Sequence, residues 1–492
     1  MQGSCAEPTP PTHSELCFLS GRELARRIRV RQLSAREVMA AYLAQIATWN
    51  PTLNAIVAKL DDDACLALAD AADRRLARGE PIGPLHGLPI AFKDMEAAVG
   101  FPHTLGSPIF AHNMPAEDSV IVERLRAAGA VPIGKTNVPE FGMGSHTYNR
   151  VYGTTVNPYD PTKSAGGSSG GAGAALAAGL LPIADGSDLG GSLRNPANFN
   201  NVVALRPTVG LVPLAPTPLP LAGFNVKGPM ARSVADTAFL LSVMAGPDAR
   251  DPACYPSDPS IFTRPLDREF KGVRVAWCPD LGGLPLDRRV RSVLTAQRRT
   301  FEDLGCVVED ACPDLSGVDE MFLQIRAWMF AAALAPFVDA FRDQLKPEAL
   351  SEIEAGARLC GADVAAALVR HGQLMERMRR FEATYEFILC AVNQVPPFDA
   401  TLDWPKAIEG VEMDHYLAWM KSAYWISATC RPAISVPAGF TAEGLPVGIQ
   451  IVGRHRDDVG VLQLAHAFEH ATGFGRQRPA APVSAATRQH RN

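Results

Sequence analysis

Ser192 stands in "ADGSDLGGSLRNPA" (184–197), behind a Gly-Gly pair and ahead of Leu-Arg-Asn-Pro, where a loop opens onto a helix. A serine hydroxyl is a weak nucleophile near neutral pH and needs a base. No histidine or carboxylate lies in an obvious supporting motif around it. The informative basic residue is Lys93, which follows the apolar run of "GLPIAFKD" (87–94). Burying an ammonium costs several kcal/mol unless it is paired or neutral. Desolvation at such a strand end lowers a lysine from ~10.4 towards neutrality and makes the amine a usable general base. From this segment alone, a lysine salt-bridged to Asp94 or reaching solvent fits equally well.

Other stretches carry competing chemistry. "KSAGGSSGGAGAALAAGLLPIADGSDLGGSLRNPA" (163–197) has the composition of a flexible linker, but a small-residue helix at 172–178 and a strand-like "LLPIA" interrupt it. Repeated glycine there points instead to special torsions or close backbone approach. "GGSSGGAG" lacks the lysine of a phosphate-binding loop and is not GxGxxG. "GSSGG" formally matches a nucleophile elbow at Ser169, a match that comes almost free in a glycine-rich run. "HAFEH" places His466 and His470 on one helical face in an inverted zinc-protease pattern, yet Val461, Leu462, Leu464, Ala465 and Phe468 make that helix ordinary and no third ligand is evident. We expect no metal site.

The 492 residues carry 47% apolar residues and a formal net charge of -5, ample for a large core and without a basic block to meet nucleic acid or a membrane surface. The longest apolar runs, "AALAAGLLPIA" and "MFAAALAPFV", fall short of the ~18–20 residues of a membrane span. The first fourteen residues show no secretory pattern and read as a disordered tail, as do 481–492. Ten scattered cysteines without CxxC suit buried thiols in a reducing, cytoplasmic setting better than a disulfide scaffold.

The elements that must position Lys93 and Ser192 follow. Helices are expected over 20–30, over 34–50 with a Ser34–Glu37 capping box and a stop at Asn50-Pro51, and over 61–79. A strand at 87–94, a helix at 119–129 and a strand at 130–137 give the order of an α/β fold. Residues 205–224 are loop-rich, and their prolines read as an internal connection. A helix is expected at 233–246, a hairpin over 431–453 and a last helix over 460–473. The stretch 250–425 is the least patterned and holds most of the tryptophans. The reading is one domain over 15–480.

The 166–197 signature, with its two Gly/Ser clusters and Asp-x-Gly-Gly-Ser-x-Arg-x-Pro, resembles that of the amidase signature family of serine hydrolases. "PLHGLPIAFKD", "GKTNVPEFGMGS", "GPMARSVADTAFLL" and "RPAISVPAGF" also sit where the family has such segments. The resemblance implies a large mixed β-sheet covered by helices on both faces, with a divergent, mostly helical insertion at about 250–425. It makes Ser192 the nucleophile, Ser168 (after a cis Gly167–Ser168 bond) the bridging serine, and Lys93 the base. Backbone N–H groups of Leu189, Gly190, Gly191 and Ser192 would cradle an oxyanion, with Ser187, Asp188 and Arg194 in support. The implied activity is cleavage of a carboxamide C–N bond without metal or organic cofactor; the same acyl-enzyme chemistry serves esters, carbamates and aryl amides. Its alternative is the amidase component of a tRNA-dependent amidotransferase, for which no glutamine-selecting motif is evident. The expected partner is a small amide substrate, neither nucleic acid nor membrane, in a homodimer of the kind common in that family. "IRAWMFAAALAPF" (325–337) and Trp404, Trp419 and Trp425 are candidates for an apolar acyl pocket, or for plain core.

Overall fold

In the computed structural model, which describes residues 13–221 and 223–481, the strand Pro89–Lys93 is buried along its whole length. It pairs in parallel with Val131–Thr136, which pairs antiparallel with Ile56–Val57, making a small three-stranded sheet. Beside it runs Ile183–Asp188, the edge strand of an eight-stranded mixed sheet. From the far edge that sheet reads Val307–Asp310, Arg274–Trp277, Phe387–Ala391, Pro446–Val452, Ala433–Phe440, Val203–Arg206, Val226–Ala231, Ile183–Asp188. The first two pairings are parallel and the rest antiparallel. The two sheets are tied by a side chain, with the Lys93 backbone N–H donating to the Asp185 carboxylate at 3.1 and 3.2 Å.

Alternate residues along the strands divide between two cores, as the period of two requires. Leu205, Ile434, Val436 and Ile449 pack with the helices Val234–Met244, Arg288–Asp303 and Asp458–Thr472. Ala204, Ala433, Ala276 and Ile388 face the other way, towards the helices Gly170–Ala177, Val318–Phe341 and Gly361–Glu382. Helices on both faces of a mixed sheet are the expected architecture.

Several local expectations change. The helix capped by Ser34 and Glu37 runs through Pro51 to Leu53. A proline in the last turn forfeits one hydrogen bond and leaves the helix to end at Asn54 in the left-handed region. The strand expected at "LLPIA" is instead Ile183–Asp188, so Ser187 and Asp188 lie on a strand end rather than in a loop. The 250–425 region is mostly helical, but three of its short segments complete the far edge of the large sheet. Cys278 and Cys312 form a disulfide with Cα atoms 5.2 Å apart, which corrects the reading of ten free thiols; each follows closely on one of two adjacent strands, a proximity that spacing alone does not reveal. Val318–Gln344 is a helix long and apolar enough to cross a membrane by length and composition, because residues around the shorter apolar run extend it. Its Met321, Phe322, Ile325 and Leu334 are buried in the protein. Of the two expected tails, 1–12 and 482–492 lie outside the described residues, whereas His13–Cys17 are helical.

The helix Gly170–Ala177 explains its own composition. A Cβ at Gly171 would lie 2.3 Å from the Asn137 nitrogen and 2.6 Å from the Ala55 oxygen, both backbone atoms that cannot swing aside. We therefore expect Gly171→Ala to destabilise the fold by about 1–3 kcal/mol or more, seen as a lowered urea midpoint. An unchanged midpoint would show that this helix is free to shift.

Candidate active site

Lys93 ends its strand with a fully buried side chain. Its Nζ lies 2.8 Å from Ser168 Oγ, 2.9 Å from Ser169 Oγ and 2.8 Å from Ser187 Oγ. The three hydroxyls come from two other elements. Ser168 and Ser169 lead into the helix Gly170–Ala177, and Ser187 sits near the end of Ile183–Asp188. The Gly167–Ser168 peptide bond is cis. Its loop is held from the neighbouring segment, Ser145 Oγ donating to the Gly167 carbonyl at 2.9 Å and Thr147 Oγ1 to the Gly166 carbonyl at 2.8 Å. Burial lowers the Lys93 pKa to about 7, and the Lys227 charge pushes the same way against Asp185, Glu96 and Asp188. The open choice at Lys93 closes on a buried amine among hydroxyls, with neither the Asp94 pairing nor the solvent contact. Asp94 belongs to Lys135, at 3.6 Å.

Ser192 lies in the turn before the helix Arg194–Phe199. Asp188 organises that turn, accepting from the Gly191 N–H at 2.7 Å and the Leu193 N–H at 3.3 Å. Arg194 grips the same carboxylate with two donors, at 2.9 and 3.0 Å, and Arg206 approaches it at 3.2 Å. Arg194 also donates to the Ala423 carbonyl at 3.0 Å and Ser427 Oγ at 2.6 Å. Burial alone would raise Asp188, but the two guanidinium groups hold it well below the usual carboxylate range. Gly191 has φ 117°, and a Cβ there would lie 2.6 Å from Ala423 Cβ, so only glycine fits. Its N–H is already engaged by Asp188, and Leu189, Gly190 and Ser192 line the cavity whereas Gly191 does not.

That cavity, about 410 Å³, is lined by Ser168, Ser187 and Ser192 alike. Its wall is largely apolar. Phe322, Met329, Phe330 and Leu334 project from one helix, with Leu105 and Phe141 also lining it. The 325–337 stretch thus contributes as expected. The tryptophans do not line it: Trp419 is core, stacked on Phe199.

Sequence reasoning missed Ser169 as a partner of Lys93, Asp185 as the tie beneath it, and the Lys227–Glu96 ion pair beside it. Adjacency to Ser168 was the only signal for Ser169. His466 and His470 lie with ring centroids 4.2 Å apart and Glu469 within reach, the donor atoms of all three falling within 4.8 Å of one another. Glu469, lying between them in sequence, supplies the third ligand type that the sequence reading lacked, although its carboxylate accepts the Val234 N–H at 3.0 Å. None of the three lines the serine cavity.

The site is thus a buried lysine among serine hydroxyls, next to a largely apolar cavity in a mixed α/β fold. The comparisons supply the family. The Amidase family model matches residues 37–462. The chain is 35% identical to an acylamidase of Rhodococcus erythropolis, over 95% of this chain and 98% of that one. It is 33% identical to a glutamyl-tRNA(Gln) amidotransferase subunit of Thermosynechococcus vestitus, over 93% and 99%. The solved structure of a bacterial aryl acylamidase of the amidase signature family superposes with a TM-score of 0.88 at 28% identity, covering 95% of this chain and all of that one. The chain belongs to the amidase signature family and is an amide-hydrolysing enzyme.

Asp188→Asn leaves two wholly buried guanidinium groups facing a neutral amide. The expected cost is about 3–5 kcal/mol, read as a fall in the thermal or urea midpoint. A loss below about 1 kcal/mol would mean that Arg194 and Arg206 are held by their carbonyl partners alone.

Proposed function

We propose that this enzyme cleaves uncharged, apolar acyl amides, aryl amides among them, through an acyl-enzyme on Ser192, with Lys93 as base and Ser168 as relay. One observation carries the chemistry: a lysine amine, out of water, in contact with three hydroxyls and with no carboxylate in its first contacts. An ammonium donates three hydrogen bonds, whereas a neutral amine donates two and offers one lone pair. Three hydroxyls satisfy either form, so the amine can gain and lose a proton without leaving an orphaned group.

Ser168 passes its own proton to the Lys93 lone pair as it takes the Ser192 proton, while Ser192 Oγ bonds to the acyl carbon. The carbonyl electron pair moves onto oxygen, where the N–H groups of Leu189, Gly190 and Ser192 receive it; one such donor is typically worth about 3–4 kcal/mol. Collapse breaks the C–N bond, and the proton held by Lys93 returns through Ser168 to the leaving nitrogen. Water then attacks the ester by the same route in reverse. Asp188 and Arg194 brace the turn, and Ser187 fixes the amine's direction.

Substrate class follows from the wall. Among the described residues, the lysine and arginine lining the cavity are Lys227, paired with Glu96, and Arg326, paired with Glu352. Both are neutralised from within, so neither calls for a charged ligand. The acylamidase and aryl acylamidase relatives support this reading. The amidotransferase relatives keep glutamine as the alternative, but glutamine would bring an α-ammonium and a carboxylate into an apolar space, at several kcal/mol if unpaired.

Lys93→Ala should lower kcat/KM by roughly 10²–10⁴-fold. In the wild type kcat/KM should fall as pH drops through about 7, since protonation removes the base. Near-wild-type hydrolysis by Lys93→Ala at pH 7–8 would refute the assignment, as would fluorophosphonate labelling that persists in Ser192→Ala. On a panel of acyl anilides and glutamine, the purified chain should hydrolyse anilides with glutamine about 100-fold poorer or worse; preference for glutamine would favour the amidotransferase reading.

A further inference from the structure

Lys227 lies on the strand Val226–Ala231, directly opposite Ser187 in the antiparallel ladder, and lines the serine cavity. Its Nζ is ion-paired with Glu96 Oε1 in a nearly buried site, 13% and 2% exposed for the two side chains. Glu96 is itself fastened to the base's own chain turn: its N–H donates to the Lys93 carbonyl at 2.9 Å. Its second carboxylate oxygen accepts from Ser119 Oγ at 2.8 Å. We propose that Lys227 and Glu96, paired with each other and anchored next to Ser187 and Lys93 respectively, are positioning residues whose opposed charges set the pH at which the Lys93 amine becomes available as a base. This rests on the reading of Lys93 as base.

The surrounding charges show why such a pair matters. From the edge strand, Asp185 and Asp188 face Lys93; Asp188 is offset by Arg194 and Arg206, while Asp185 accepts the Lys93 N–H. From the neighbouring strand comes Lys135, paired with Asp94 and donating to the Glu96 carbonyl. His103 lines the cavity and is lowered to about 4, chiefly by burial and then by Lys135, so it is neutral in the working range. The carboxylates favour an ammonium at Lys93, and Lys227 is the cation set against them. In a low-dielectric site such terms are weakly screened, so cancelling one partner exposes the other.

The two partners should therefore shift the base in opposite directions. Lys227→Met removes a like charge and frees the Glu96 carboxylate, so both effects favour protonated Lys93. The acid limb of kcat/KM should move up by about one pH unit. Glu96→Gln frees Lys227 and should move the limb down by about as much. The double variant should return close to the wild type, and Lys227→Arg should leave the limb in place. Because Lys227 also lines the cavity, the pH dependence of fluorophosphonate labelling of Ser192 serves as a second readout, free of amide binding. An unmoved limb in both single variants, or shifts of one sign, would overturn the proposal. If Lys227→Met does not fold, Glu96→Gln alone decides, by whether its limb moves down. Failure here is separable from failure of the base: an inactive Lys93→Ala with unmoved limbs refutes only the charge pair, whereas an active Lys93→Ala refutes the base.

Discussion

An amine taken out of water must be given partners, and the choice of partners decides what it can do. At Lys93 they are three hydroxyls at 2.8–2.9 Å. A carboxylate in contact would have fixed the ammonium and made the lysine a strut. Hydroxyls donate as readily as they accept, so burial is left free to pull the amine towards neutrality. Much of the fold near the site serves this arrangement. The lysine comes from a three-stranded sheet, one serine from the edge of the eight-stranded sheet, and two from the loop ahead of a glycine-rich helix. Bringing those elements into contact demands the close approach that small residues permit and the Asp185 tie that aligns the strands.

Asp188 shows the opposite treatment of a buried charge a few residues away. Two guanidinium groups and two backbone N–H groups saturate its carboxylate, which stays ionised and inert. Its bonds shape the turn that carries Ser192 and absorb the Gly191 N–H. One buried charge is thus committed to geometry, and the other is left convertible. The contrast argues the division of labour more strongly than the residue types do, since an aspartate beside a serine in sequence could as well have been a base.

How much of this was legible follows from the range of the interactions involved. Lys93 and Ser192 stood out because they lie in short segments whose composition is hard to explain otherwise, a lysine inside an apolar run and glycine and serine beyond any linker's need, whereas Ser168, Ser187, Asp188 and Arg194 were named through the family resemblance of that stretch. The capping box at Ser34 and the amphipathic last helix were legible because both are local. Ser169, Asp185 and the Lys227–Glu96 pair were not, because each acts across 76 to 131 residues of sequence. The disulfide was hidden for the same reason. The three strands that the 250–425 region gives to the large sheet, four or five residues each and without clear turn signals, gave no period to read.

The least legible region also supplies the cavity wall, and the two facts have one cause. The helix Val318–Phe341 buries Met321, Ile325 and Ala331 in the protein while Met329 and Phe330 line the space beside the serines, and Phe322 and Leu334 do both. A helix with core on one face and cavity on another has little left to be polar, so its amphipathic signal fades and its composition approaches that of a membrane span. The demand on such a wall is shape and dryness rather than a fixed residue at a fixed place. Dryness then feeds back on the chemistry. An apolar space beside Ser168 and Ser187 limits the water that could solvate a Lys93 ammonium, so in the proposed reaction the surface that would select an uncharged substrate would also help to keep the amine neutral.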